Sequence, residues 1–170
     1  MSTTGEILYP FTDNVWNIVR TDETVTADQW TNTVIVETMD GNPGTGGTPG
    51  SEKQGLFDFN MKTLLPIQYS HIEYLKDGYY LLGNYGGEQG TRYGIYHYGE
   101  GVTIPVEYSK VTYLGSDVFA VRNSKMLYGV LDGSGKTVLP FSYGDITGYQ
   151  NGCYSVGLCD RQPAERPDRF

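Results

Sequence analysis

The stretch from residue 129 to residue 156, "GVLDGSGKTVLPFSYGDITGYQNGCYSV", decides the fold because the chain says it three times. "GLFDFNMKTLLPIQYSHIEYLKDGYYLL" fills residues 55–82, and "GIYHYGEGVTIPVEYSKVTYLGSDVFAV" fills residues 94–121. The three copies align over 28 residues without a gap. Gly55, Gly94 and Gly129 open them, and Pro66, Pro105 and Pro140 follow eleven residues later. Three residues further on stand Tyr69, Tyr108 and Tyr143, and three beyond those Ile72, Val111 and Ile146. A turn signal then precedes the last four residues: Asp77-Gly78, Ser116-Asp117 and Asn151-Gly152. Self-similarity at a fixed period marks a repeat architecture, in which each copy is one small supersecondary unit.

A fourth, divergent copy lies at the N-terminus. "ILYPFTDNVW" repeats the approach to the proline at Pro10, and "TNTVIV" resembles the closing strand. Glycine, tyrosine and β-branched residues at this density favour strands and tight turns over helices. Each copy is expected to form four short antiparallel strands: an opening strand, a strand ending at the proline, a strand after it and a closing strand. Proline cannot donate to a ladder, so it should mark a strand end or a sheet edge. Tyr69, Tyr108 and Tyr143 are expected to stack copy upon copy in the core.

The fold class that follows is all-β, with about four tandem repeats at residues 7–36, 55–82, 94–121 and 129–156 in a single domain over residues 1–156. An open β-repeat array is favoured, with a small propeller-like ring as the alternative. Residues 37–53, rich in Gly, Pro and Thr, read as a flexible loop. Residues 157–170, with prolines and alternating charge, read as a disordered tail.

The tyrosine-glycine opening, the Asp-x-x-Gly-Lys-x-Val-Leu-Pro middle and the Pro-x-x-Tyr-x-x-Ile that follows are the signature of a family. In these features residues 54–156 resemble the bacterial WG repeats, also called KWG repeats, and the last copy does so most closely. Tyr93, Tyr128 and Gln54 stand where such repeats usually carry Trp. The resemblance implies a β-rich scaffold used for binding, and it supplies no catalytic residues.

The string Gly-Ser-Gly-Lys-Thr at 133–137 also raises the question of a phosphate loop. That pattern needs a glycine five residues before Gly135, where Val130 stands. It also needs a helix after the lysine, whereas Thr137, Val138 and Leu139 favour a strand and Pro140 would interrupt a helix. The aligned copies, "DFNMKTLLP" and "HYGEGVTIP", keep the position and lose the motif. Lys136 therefore belongs to a hairpin turn. Asp132 lacks the alternating acidic ligands of a calcium loop.

Other chemistry is sparse. His71 and His97 occupy different repeat positions, and neither has a carboxylate or cysteine constellation beside it in sequence; both read as exposed strand-end residues. Cys153 and Cys159 match no common metal spacing, and Cys153 reads as core of a strand. No catalytic residue, metal site or cofactor is expected.

The chain has 170 residues and a formal net charge of −8. Residues 1–60 hold nine acidic side chains against Arg20 and Lys53, so nearly all the excess lies there. Nucleic acid requires clustered cations, and this distribution excludes it as a partner. No charged-then-apolar leader follows Met1 and no apolar run reaches the length of a membrane helix, so a soluble, cytoplasmic protein is expected.

What remains is an aromatic surplus. Tyr74 and Tyr113 share a repeat position and Tyr149 lies one place along in its own copy. These three are the candidate ligand-binding residues, since a rigid ring gives large contact area at small entropic cost. The function expected is non-enzymatic binding of another protein, one with a basic surface, through the repeat face and the acidic N-terminal segment, as an inhibitor or immunity factor would do. The alternative is a carbohydrate or small-ligand module built on the exposed tyrosines.

Overall fold

The strands from Lys53 onward follow from two repeated features, a glycine and a proline eleven residues apart. The computed structural model describes residues 15–20, 33–39, 51–150 and 153–158. The N-terminal copy's Pro10 and the turn at Asn151-Gly152 lie outside the described residues, as does most of the predicted loop. Two compact units result, Met1–Glu107 and Tyr108–Phe170.

The N-terminal unit holds two four-stranded sheets. The first comprises β1 (Val15–Arg20), β2 (Thr33–Thr38), β3 (Lys53–Asp58) and β4 (Thr63–Tyr69) in the order β1-β2-β3-β4. The second comprises β5 (His71–Lys76), β6 (Tyr79–Tyr85), β7 (Thr91–His97) and β8 (Gly101–Tyr108) in the order β5-β6-β7-β8, with a 3-10 turn at Gly87–Gln89 before β7. The C-terminal unit is a five-stranded sheet of β9 (Lys110–Gly115), β10 (Val118–Arg122), β11 (Tyr128–Asp132), β12 (Thr137–Gln150) and β13 (Cys153–Leu158), ordered β13-β12-β11-β10-β9. No α-helix occurs among the described residues. The all-β repeat expected from the sequence is the fold observed.

The sheets do not coincide with the sequence repeats. Each sheet joins the last two strands of one copy to the opening strands of the next, through one recurring register, and the five-stranded sheet also keeps the last copy's closing strand, β13. Val36 pairs with Gly55, Leu82 with Gly94 and Val121 with Gly129. Closing strand and next opening strand are therefore neighbours, and the copies at 55–82 and 94–121 are each split between two sheets, whereas the copy at 129–156 lies within the five-stranded sheet.

The proline lies inside a strand instead of ending one. In β4, residues 66–68 oppose Gly55 alone, between the pairs Leu56–Leu65 and Gln54–Tyr69. In β12, residues 140–142 oppose Gly129 in the same way, between Val130–Leu139 and Tyr128–Tyr143. This is a β-bulge, which bends the bulged strand and leaves residues off the ladder, so the absent N–H of proline costs nothing there. The bulge crosses directly over the opening glycine. A Cβ on Gly55 would meet Ile67 Cγ1 at 2.7 Å, and one on Gly129 would meet the Leu139 oxygen at 3.0 Å. The glycine recurs because the bulged chain occupies the space a side chain would need. Pro66, Pro105 and Pro140 are all exposed. The edge placement expected of them holds for β4 and β8, while β12 begins its pairing with β13 only at Tyr143.

Burial follows the repeat. In the N-terminal unit Ile35, Leu56, Leu65, Tyr69, Ile72, Tyr80, Leu82 and Tyr96 form one core. Thr33 and Tyr80 are hydrogen-bonded through their hydroxyls at 2.6 Å in that interior, tying β2 to β6. In the C-terminal unit Ala120, Tyr128, Val130 and Ile146 form the core, with Tyr143 packed on it. Full burial of each such side chain is worth about 1.5–3 kcal/mol, which is what holds these short strands together. Of the repeated tyrosines, Tyr69 is buried, and Tyr108 lies half-buried and parallel to Phe141 of the following copy, ring centroids 5.9 Å apart.

Candidate functional site

The segment that resembled a phosphate loop is an aspartate-anchored turn. Asp132 Oδ1 accepts hydrogen bonds from the Ser134 amide at 3.0 Å, the Ser134 hydroxyl at 2.7 Å and the Lys136 amide at 2.9 Å. The Asp132 amide donates to the Lys136 carbonyl, and the Gly135 amide to the Asp132 carbonyl. Gly135 takes φ of 84°, whereas Gly133 needs no positive φ, so the turn rests on one glycine. Asp58 holds the Asn60 and Lys62 amides in the same pattern, and Asn123 those of Lys125 and Leu127. Amides that would cradle a phosphate are already donated to a side chain of their own turn. The hydrogen bond from Ser134 and that from the Lys136 amide hold the Asp132 carboxyl below the usual carboxylate range.

The three candidate tyrosines fall on strands that follow the proline. Tyr74 on β5 and Tyr113 on β9 are both half-buried. Each lays its ring against the buried aromatic of the neighbouring closing strand. Tyr74 meets Tyr80 edge-on at 5.3 Å, and Tyr113 meets Phe119 at 5.1 Å. Burial raises the Tyr74 phenol above its ordinary value, opposed by the amides of Gly78 and Asp77 in the adjoining turn. Tyr149 lies on β12 opposite Tyr154. Tyr74 and Tyr113 thus share one environment, as their common repeat position required, while each has given part of its ring to the core.

More open aromatic surface lies elsewhere in the N-terminal unit. Tyr85 is 71% exposed, Tyr98 44% and Phe59 37%. Tyr98 occupies the β7–β8 turn, where its amide donates to the Gly78 carbonyl at 2.9 Å. Beside it the His97 ring stacks on Tyr79 with centroids 4.3 Å apart. His97 ends β7 and His71 begins β5, at the strand ends expected, but His97 is half-buried by this stacking and not exposed. His71 Nε2 lies 3.3 Å from Glu73, and His97 Nδ1 lies 3.3 Å from Glu100 in an approach not aligned as a hydrogen bond.

Two features escaped the sequence. Lys110 and Arg122 both stand over the Tyr128 ring, at 5.9 and 5.8 Å, and Arg122 Nε donates to Ser109 Oγ at 2.9 Å. The tyrosine that opens the last repeat is therefore a cation-binding platform within the sheet. Gln54, at the aromatic position of the first full copy, instead accepts the Ile72 amide at 2.6 Å and donates to Glu37 at 3.0 Å. Only pairing across strands that are distant in sequence could reveal either.

Cys153 corrects an expectation. It is an exposed thiol and not core, because β13 has a neighbour on one side only among the described residues. Likewise β13 runs on through Gly157 and Leu158, two residues expected in the tail. The rest of the tail, with Cys159, lies outside the described residues. No group of three or more His, Cys, Asp or Glu is placed to hold a metal ion among the described residues, and no helix there is long and apolar enough to cross a membrane.

Comparison with known proteins gives one finding at this point. The family model described as the WG containing repeat matches residues 128–158, which span β11, β12 and β13. No curated protein and no solved structure gave a significant match to the chain.

Proposed function

We propose that the chain is a non-enzymatic interaction protein that binds another protein through its repeat surface and its acidic N-terminal segment, in the manner of an inhibitor or immunity factor. The observation that carries this reading is how the side chains are used. The polar groups that might have done chemistry (Asp132, Asp58, Asn123) are spent on their own turns, while Tyr85 at the end of β6 and Tyr98 in the β7–β8 turn are left facing solvent. Amphipathic rings with few rotatable bonds are the side chains that anchor protein interfaces. The match of the last repeat to the WG containing repeat agrees with a scaffold role. Nine acidic side chains against two basic ones in residues 1–60 favour a partner with a basic surface. The small-ligand reading has less to stand on, since Tyr74 and Tyr113 each pack a ring against an interior aromatic.

Capture from native lysate on the immobilised chain tests the proposal. A protein retained at low salt, released as salt screens the acidic segment and weakened by Tyr98→Ala, is the expected result. Retention that ignores both salt and Tyr98 would overturn it.

A further inference from the structure

The chain has four closing strands, and three of them are covered in one register. Val36, Leu82 and Val121 lie opposite Gly55, Gly94 and Gly129. Three residues earlier, Thr33, Tyr79 and Val118 lie opposite Asp58, His97 and Asp132. Val36, Leu82 and Val121 are each at 0% exposure. Val156 holds the same place in the fourth closing strand, β13, and is 42% exposed, with Leu158 at 80%. Among the described residues β13 pairs with β12 alone.

Sheet edges are ordinarily guarded by proline, charge or a bulge. Edge strand β8 carries Pro105, and edge strand β5 carries His71, Glu73 and Lys76. The sequence of β13, CYSVGL, carries neither proline nor charge, and the register shifts of its pairing fall on β12. Among the described residues its outer row of amides and carbonyls has no strand beside it.

From this we infer that the outer edge of β13 is a docking site for an extended segment of a partner protein with the chemistry of an opening strand: aromatic, glycine, aliphatic, aliphatic, acidic. The segment adds antiparallel with its glycine opposite Val156. Backbone hydrogen bonds along the edge supply affinity, and burial of Val156 supplies the apolar gain that its three counterparts already enjoy. A second copy of this chain cannot donate such a strand without opening its own sheets, because β3, β7 and β11 are each paired on both sides. The inference rests on the protein-binding reading above. Its test uses a synthetic peptide, so its failure leaves the lysate capture untouched, and it needs neither Tyr98 nor the acidic segment.

The probe is a peptide of residues 126–134, MLYGVLDGS, added to the full chain carrying Cys159→Ser. By equivalence with the Val118–Asp132 pair, a peptide with Asp132→Cys places its thiol against Cys153. Directly opposed residues lie within disulfide reach, so this peptide should form the mixed disulfide well ahead of one carrying Leu131→Cys. Val156→Lys, on an exposed side chain, should leave the melting temperature unchanged and weaken binding of the unmodified peptide at least about tenfold, since the charge would be buried under the added strand. Equal trapping of both cysteine peptides, or undiminished binding by Val156→Lys, overturns the inference. So does hydrogen exchange at residues 153–158 of the free monomer as slow as that of β11, which would show the edge already covered by the chain itself. A dimer abolished by Val156→Lys would give the edge to a second copy and overturn it as well.

Discussion

A side-chain carbon on Gly94 would lie 2.7 Å from the carbonyl carbon of Pro105 and 2.5 Å from the carbonyl oxygen of Ile104. Both are backbone atoms of β8, so the strand itself must move to admit a methyl group. At Gly55 the nearest backbone atom is the Ile67 nitrogen at 2.9 Å, and at Gly129 it is the Leu139 oxygen at 3.0 Å. None of the three glycines has positive φ, so space and not backbone freedom is at stake. Alanine should therefore destabilise in the order Gly94, Gly55, Gly129. Overpacking costs of this kind run to about 1–3 kcal/mol, with Gly94→Ala at the upper end. Urea denaturation of the three variants checks the order, and equal losses would refute the crossing as the cause.

The anchored turn at Asp132 makes stability depend on acid. Its carboxyl is held below the ordinary value of 3.8, first by the Ser134 hydroxyl and next by the Lys136 amide. A depressed folded-state value means the contribution is whole above the unfolded-state value and drains away as pH falls through the folded one. Asp132→Asn keeps an oxygen acceptor for the amides and should flatten this part of the acid limb while changing neutral stability little. Asp132→Ala removes the acceptor at every pH and should cost about 1 kcal/mol, the usual net worth of such a bond. Thermal melts of the three proteins from pH 2.5 to 7 separate these outcomes.

Two turns at one repeat position differ in the residues they use. Asp77-Gly78 closes the β5–β6 hairpin with φ of 53° and 82°, and Ser116-Asp117 closes the β9–β10 hairpin with φ of 51° and 57°. Both two-residue loops have the doubly positive φ that matches sheet twist, and Gly is the residue that accepts the second position freely. Asp117→Gly should relieve the left-handed penalty, partly offset by the greater freedom of glycine in the unfolded chain, for a net gain of about 0.5 kcal/mol. Calorimetry showing a lower melting temperature would contradict this.

These turns also show where the sequence was legible. The positions of Asp77-Gly78 and Ser116-Asp117 were marked by residue chemistry alone, because turn geometry is local. The proline's edge placement was legible for β4 and β8, but its place within a bulged strand was not. A proline reads as a strand terminus unless one knows that Gly55 or Gly129 across the hairpin leaves room for a bulge, and that knowledge comes from pairing. Cys153 misled for the same reason: its strand character was plain, but burial depends on whether a neighbouring strand covers it. Lys110 and Arg122 meet over Tyr128 from three strands, and no local pattern announces such a meeting. Repetition carried the fold, whereas the surface depended on which edges remained unpaired.

Tyr74 is where shield and binding residue can be told apart. Its ring packs edge-on against Tyr80, and burial lifts its phenol above 10.0. Truncation by Tyr74→Ala should cost about 2 kcal/mol, less than the loss of a fully buried ring. Tyr74→Phe keeps the packing and removes the ionisable group. A raised folded-state value means that the neutral phenol stabilises below the unfolded value, and the contribution is lost as pH climbs through the folded one. The wild-type protein should therefore lose stability above pH 10, with Tyr96, also raised chiefly by burial, adding to the loss. Tyr74→Phe should retain more of its stability there than the wild type, measured by urea midpoints from pH 8 to 11. If Tyr74→Ala instead leaves stability intact while abolishing partner capture, the ring belongs to the binding surface and not to the core.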